Sequence, residues 1–163
     1  MKKAVLLFPL VIIISCSQND DFLLKEYQKS FSEILNLKVN LEEYSISGNS
    51  DYKVLVLLNT KCASCVITVK RWSQFMDSSI LKNKDIVFLS YGPKDEYFSS
   101  NFQEALGAEK NLNHIYDPTG NFIYENDLEL FSLDVFLLDK NNKVLLVGDP
   151  TKDKLVESFY KNF

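Results

Sequence analysis

Apolar positions change their spacing several times along the chain, and each change predicts an element. Leu23, Leu24, Tyr27, Phe31, Ile34 and Leu35 recur at helical spacing and predict one amphipathic helix over about 22–36. The cluster Ser47-Gly48-Asn49-Ser50-Asp51 predicts a turn. It leads into Val54-Leu55-Val56-Leu57-Leu58, a continuous apolar run of the kind found in a central strand covered on both faces. The period then shifts again, placing Cys65, Val69, Trp72 and Met76 on one helical face. A second buried strand over 86–90 follows, and Gly92-Pro93 breaks the chain before a helix over about 94–106. A short strand over 114–116 ends at Asp117-Pro118-Thr119-Gly120, and a weaker helix over about 121–130 leads to the strand Val135-Phe136-Leu137-Leu138. Asp139-Lys140-Asn141-Asn142 is hairpin-turn chemistry, with Val144 to Val147 as the partner strand. Leu155, Val156, Phe159, Tyr160 and Phe163 predict a last amphipathic helix. Strands alternating with helices, then a closing hairpin, predict an α/β fold with a central mixed β-sheet flanked by helices.

The first residues belong to a different class. Lys2 and Lys3 precede an apolar run from Ala4 to Ile14, which is too short for the roughly 20 residues that a membrane-spanning helix needs. It therefore reads as an export signal. Its ending, Ile13-Ile14-Ser15-Cys16, resembles the lipobox of bacterial lipoproteins, although Ile13 stands where Leu is usual. That resemblance implies lipidation of Cys16, with an ordinary signal peptide cut elsewhere as the alternative. The expected organisation is a lipoprotein signal peptide at 1–15, a polar tether at 16–21, an N-terminal helical extension at 22–47 and one domain at 48–163. Several acyl chains on Cys16 would hold the protein on a bilayer far more firmly than a single myristoyl chain.

Composition narrows the remaining classes. The formal net charge of −4 becomes −6 once Lys2 and Lys3 are removed, and no predicted helix face gathers a Lys/Arg cluster. Nucleic acid is not expected as a partner, because phosphate neutralisation supplies most such affinity. With Cys16 used by lipid, Cys62 and Cys65 are the remaining thiols. In an exported, oxidising compartment this pair meets disulfide chemistry.

Cys62 and Cys65 form a C-x-x-C between a buried strand and a helix. A cysteine at a helix start faces unpaired N–H groups and about half a positive charge, which favour the thiolate. Lys61 adds a full positive charge beside it and is a candidate for tuning its pKa. Cys65, one turn on and facing inward, is expected to remain a neutral thiol through desolvation. This asymmetry suits an exposed attacking sulfur and a buried resolving one. A zinc site would need more ligands than His114 can add. Neither a metal nor any other cofactor is expected. A copper relay using Cys62, Cys65 and His114, a purely structural clip and a peroxiredoxin-type site are the weaker alternatives.

The strand–(C-x-x-C)–helix unit, the further strand and helix before the hairpin, and "VFLLDKNNKVLLVGDP" at 135–150 resemble thioredoxin-fold proteins of the TlpA/ResA type over about residues 48–163. The resemblance implies a thioredoxin-like fold, with Cys62 as nucleophile and Cys65 as resolving thiol. Four positions depart from the pattern. Leu133 stands where a cis-proline is usual, and Lys61 where an aromatic often precedes the first cysteine. Val56 and Thr68 occupy the two places at which such proteins carry a buried acid. Asp134 is the acid nominated to replace them as proton acceptor.

The sequence thus predicts a membrane-anchored thiol–disulfide oxidoreductase of the cell envelope. The alternative is a non-catalytic binding or structural lipoprotein on the same fold. Expected partners are protein thiols and disulfides, an unidentified redox donor and the bilayer holding the acylated N-terminus. Ser17 is not the Asp that retains lipoproteins in an inner membrane, so the outer membrane, facing the periplasm, is favoured. The acidic run Asp20-Asp21 leaves surface exposure as the other outcome. Ala63-Ser64 sets the redox potential, and about 30 mV is only 1.4 kcal/mol, so the direction of electron flow is not encoded legibly.

Overall fold

In a computed structural model of the chain, residues 15–41, 46, 50–106, 113–128 and 134–163 are described, with side chains from residue 21 onward. The apolar run 4–14, the Cys16 side chain and Leu133 lie outside these residues. Five strands form one sheet in the order β3-β2-β1-β4-β5. They are β1 Tyr52–Asn59, β2 Lys84–Tyr91, β3 Asn113–Asp117, β4 Val135–Asp139 and β5 Val144–Val147. β1 pairs parallel with β2, and β2 with β3. β1 pairs antiparallel with β4, and β4 with β5. The sheet is mixed, and the continuous apolar run 54–58 lies at its centre.

The central position follows from burial on both faces. Val54, Val56 and Leu58 point into one core with Val69, Trp72, Phe88, Leu137 and Phe159. Leu55 and Leu57 point into the other, with Val87, Leu89, Phe122 and Phe136. Fully burying each such side chain contributes about 1.5–3 kcal/mol. Helices α2 (Ala63–Phe75), α3 (Glu96–Leu106) and α5 (Lys154–Phe159) cover the first face, and α4 (Asn121–Glu125) covers the second. Asp153 caps α5, its carboxylate accepting from Leu155 N and Val156 N.

The N-terminal helix differs from its sequence expectation. α1 spans Ser15–Lys29, so it takes in the backbone of the polar stretch 16–21 and stops short of 36. The chain then runs through hydrogen-bonded turns to Asn36, whose φ is 68°. The apolar spacing continues because it serves two cores. Leu24 and Tyr27 pack with the first, whereas Phe31, Ile34 and Leu35 pack with the second. The chain must therefore pass around the β5 edge, which a straight helix cannot do. Tyr27 Oη donates to Val147 C=O at 3.1 Å, and Gln28 Nε2 to Leu145 C=O at 3.0 Å. Asn36 N donates to Val144 C=O at 2.9 Å and Val39 N to Asn142 C=O at 2.9 Å, so this segment covers part of an otherwise open sheet edge.

The fourth helix is likewise shorter than its apolar spacing suggests. It ends at Glu125, and Asp127 follows at φ 53°, a left-handed conformation that turns the chain.

Candidate functional site

β1 delivers the dithiol to the C-terminal end of the sheet. Its last residue, Asn59, accepts from Cys62 N at 3.1 Å through its backbone carbonyl and from Lys61 N at 2.9 Å through Oδ1. These bonds turn the chain tightly from strand to helix. Cys62 is the N-cap of α2, with φ −94° and ψ 110°, and its carbonyl accepts from Cys65 N at 3.0 Å. Both cysteines are free thiols.

The two sulfurs occupy opposite electrostatic settings. Cys62 is partly exposed, and its Sγ lies 2.9 Å from Ser64 Oγ. That hydroxyl is the largest cause holding the Cys62 pKa below its ordinary value; slight burial opposes it, and the Cys65 thiol and the N–H groups of Cys65 and Ser64 assist. Cys65 is pushed up to about 12, first by burial, then by its bond to Cys62 and the charges of Cys62 and Asp134, with the Asn59 backbone opposing. Of the pair, Cys62 is therefore the sulfur that ionises first and Cys65 the one held as a thiol.

Asp134 reaches the site from across the sheet. Leu57 N donates to Asp134 C=O at 2.7 Å, which fixes that backbone just before β4. Its side chain lines a pocket of about 370 Å³ together with Cys62, Cys65, Tyr91, Arg71 and Lys152. Burial raises the Asp134 pKa and Asp149 adds to this, while Lys152 opposes. A carboxyl so placed can accept a proton near neutrality more readily than an exposed one. Tyr91 is raised by burial, with Asn59 opposing and the charges of Asp134 and both cysteines adding.

The structure places Lys61 differently from the expected thiolate partner. Its ammonium lies 3.2 Å from Asp95 Oδ2, and it is not among the groups that hold Cys62 down. Asp95 also accepts from Phe98 N at 2.9 Å, so this ion pair ties the dithiol turn to the start of α3. His114 stands apart from the cysteines. It stacks on Phe102 with ring centroids 4.2 Å apart, and its Nε2 lies 2.8 Å from Ser90 Oγ. It lines a second cavity of about 390 Å³ with Thr60, Phe98 and Tyr116. No group of metal-ligating side chains gathers among the described residues.

Ser64 was visible in the sequence only as half of the dipeptide between the cysteines. A hydroxyl in the first helical turn can reach back to a nearby group, and that is the signal which marks it. Arg71 and Lys152 carried no such signal, because the pocket joins positions far apart in the chain.

A mixed five-stranded sheet, flanked by helices and carrying a C-x-x-C where the central strand meets its helix, defines a thioredoxin-like fold. Solved structures agree. A crystal structure described as a thiol:disulfide interchange protein DsbE from Chlorobium tepidum matches at TM-score 0.51 and 18% identity, over 67% of this chain and 77% of that one. A thioredoxin-like protein from Aeropyrum pernix matches at TM-score 0.50 and 12% identity, over 87% of this chain and 99% of that one. The reduced N-terminal domain of PilB from N. meningitidis matches at TM-score 0.50 and 12% identity, over 69% and 81%. No protein-family model matches the sequence, and no curated protein matches it. No described helix is long and apolar enough to cross a membrane.

Proposed function

We propose that the protein is a thiol–disulfide oxidoreductase working through Cys62 and Cys65. The observation that carries this is the split between the sulfurs: a thiol at the start of α2 held down by Ser64 beside one pushed up to about 12 by burial. The Cys62 thiolate attacks a substrate disulfide, forming a mixed disulfide and expelling one substrate thiolate. Cys65 then gives up its proton and attacks Cys62 Sγ, releasing the second substrate thiolate and closing the Cys62–Cys65 disulfide. Asp134 is the group placed to receive the Cys65 proton. Lys61 acts on the turn through Asp95 rather than on the sulfur. Substitution of Cys65 by Ser should accumulate mixed disulfides on Cys62, visible on non-reducing gels and lost on reduction. Accumulation with Cys62→Ser instead would reverse the roles.

The substrates proposed are protein disulfides, and a redox donor of the envelope then reduces the Cys62–Cys65 disulfide back to the dithiol. The proposed setting is the outer membrane, with Cys16 lipidated and the domain, onto whose sheet Leu24, Ile34 and Val39 pack, held close to the bilayer by the stretch at 16–21. The lipobox-like Ile13-Ile14-Ser15-Cys16 supports this reading. Fatty-acid labelling should mark the wild type and not Cys16→Ala; equal labelling would overturn it. Protease added to intact cells distinguishes a periplasmic face, protected until lysis, from surface exposure.

A further inference from the structure

One cation in the dithiol pocket, Arg71, has no acidic partner among the described residues. Cys65, Thr68 and Arg71 follow one another at three-residue intervals on α2, and all three line the pocket. The Arg71 guanidinium donates from Nη2 to Thr68 Oγ1 at 3.1 Å, while its Nε is buried and has no hydrogen-bond partner. Among the described residues Arg71 forms no ion pair, whereas Lys152, also on the pocket wall, pairs with Asp149 at 3.4 Å. A guanidinium on a pocket wall with no acidic partner is free to pair with an anion that enters the pocket. A planar guanidinium is most completely satisfied by a carboxylate, which can accept from two N–H groups at once.

We propose that Arg71 is a specificity residue, selecting disulfides that carry a carboxylate close to the reacting sulfur. This rests on the oxidoreductase reading above. As the Cys62 thiolate attacks one sulfur, the neighbouring carboxylate docks on the guanidinium edge that lines the pocket. The S–S bond breaks, the departing thiolate takes the electron pair, and the carboxylate is unchanged. Asp134 does not replace this partner, because it forms no ion pair with Arg71 although both line the pocket. The carboxylate can belong to a small disulfide or to an acidic side chain next to a protein cysteine.

The test compares the reduced protein's rates with two aromatic disulfides, the anionic dithiobis-nitrobenzoate and the neutral dithiodipyridine. The quantity read is their ratio, first for wild type and then for Arg71→Met and Arg71→Lys. The ratio should fall about tenfold in Arg71→Met, recover in part in Arg71→Lys, and decline with added salt in the wild type. An unchanged ratio in both variants, with both probes still reacting, overturns the proposal and leaves the dithiol chemistry standing. Failure of the wild type to react with either probe overturns both. Peptide disulfides with Asp or Asn beside the cysteine separate the sources. An Arg71-dependent preference for Asp assigns the site to protein substrates; preference confined to the nitrobenzoate pair assigns it to small disulfides.

Discussion

Alkylation of the reduced protein should distinguish the two cysteines sharply. Moving a thiol from 9.0 to about 12, as for Cys65, cuts its thiolate population at neutral pH by about a thousandfold. A more basic thiolate is also more nucleophilic. With a Brønsted coefficient of about 0.4–0.5 it recovers roughly 16- to 32-fold. The balance leaves Cys65 about 30- to 60-fold slower than an ordinary thiol before any loss of access is counted. Cys62, held below its ordinary value by Ser64, widens the gap. The assay is a time course with iodoacetamide at pH 7. Both cysteines lie between Lys61 and Lys70, so trypsin releases them in one peptide, and fragment ions must assign the label. The Cys62 rate should level off below the ordinary thiol range. The Cys65 rate should keep rising about tenfold per pH unit through pH 10. Rates within threefold of each other at pH 7, or a faster Cys65, would refute the reasoning.

Further outcomes follow from single side chains. Asp134→Asn should slow resolution of the mixed disulfide by on the order of 10²-fold, while the initial attack by Cys62 changes far less; stopped-flow traces resolve the two steps. Asp117 accepts from Thr119 N and Oγ1, Gly120 N and Phe122 N, bonds that outweigh burial and lower its pKa. Asp117→Ala should therefore cost about 1.5–3 kcal/mol in urea unfolding at pH 7. Because the folded pKa is the lower one, this contribution is present above the unfolded value of 3.8 and disappears as pH falls through the folded value, so the two proteins should converge in acid. Gly148 sits at φ 124°, and an added Cβ would lie 2.8 Å from Tyr27 Oη and 3.0 Å from Val156 Cγ2. Gly148→Ala should cost about 1–3 kcal/mol and speed proteolysis within α1.

What could be read from the sequence was what local pattern determines. Val54 to Leu58 betrayed a central strand because both its faces are covered, and the change of period after Cys65 marked the helix that carries the dithiol. α1 was misjudged at its end because Phe31, Ile34 and Leu35 keep helical spacing while packing against the opposite face of the sheet. Periodicity records that a residue is buried, not which core receives it. The same limit applies at the site. Cys62 and Cys65 are neighbours in the chain and were legible from spacing. Lys61 is also a neighbour, yet its partner is Asp95 on a different loop, and no local rule announces a pairing across 34 residues. Asp134 could be nominated only by position before the hairpin, and the β1–β4 ladder is what places it beside Cys65.

The proposed chemistry requires Cys62 and Cys65 to form a redox couple that opens and closes reversibly. Equilibrating the protein across glutathione and dithiothreitol buffers, then trapping free thiols with a mass tag, measures this directly. The account predicts one reversible two-electron transition lying between about −120 and −270 mV, the range of working dithiols. A pair that stays oxidised until potentials below about −300 mV would be a structural clip, and that result would contradict the account.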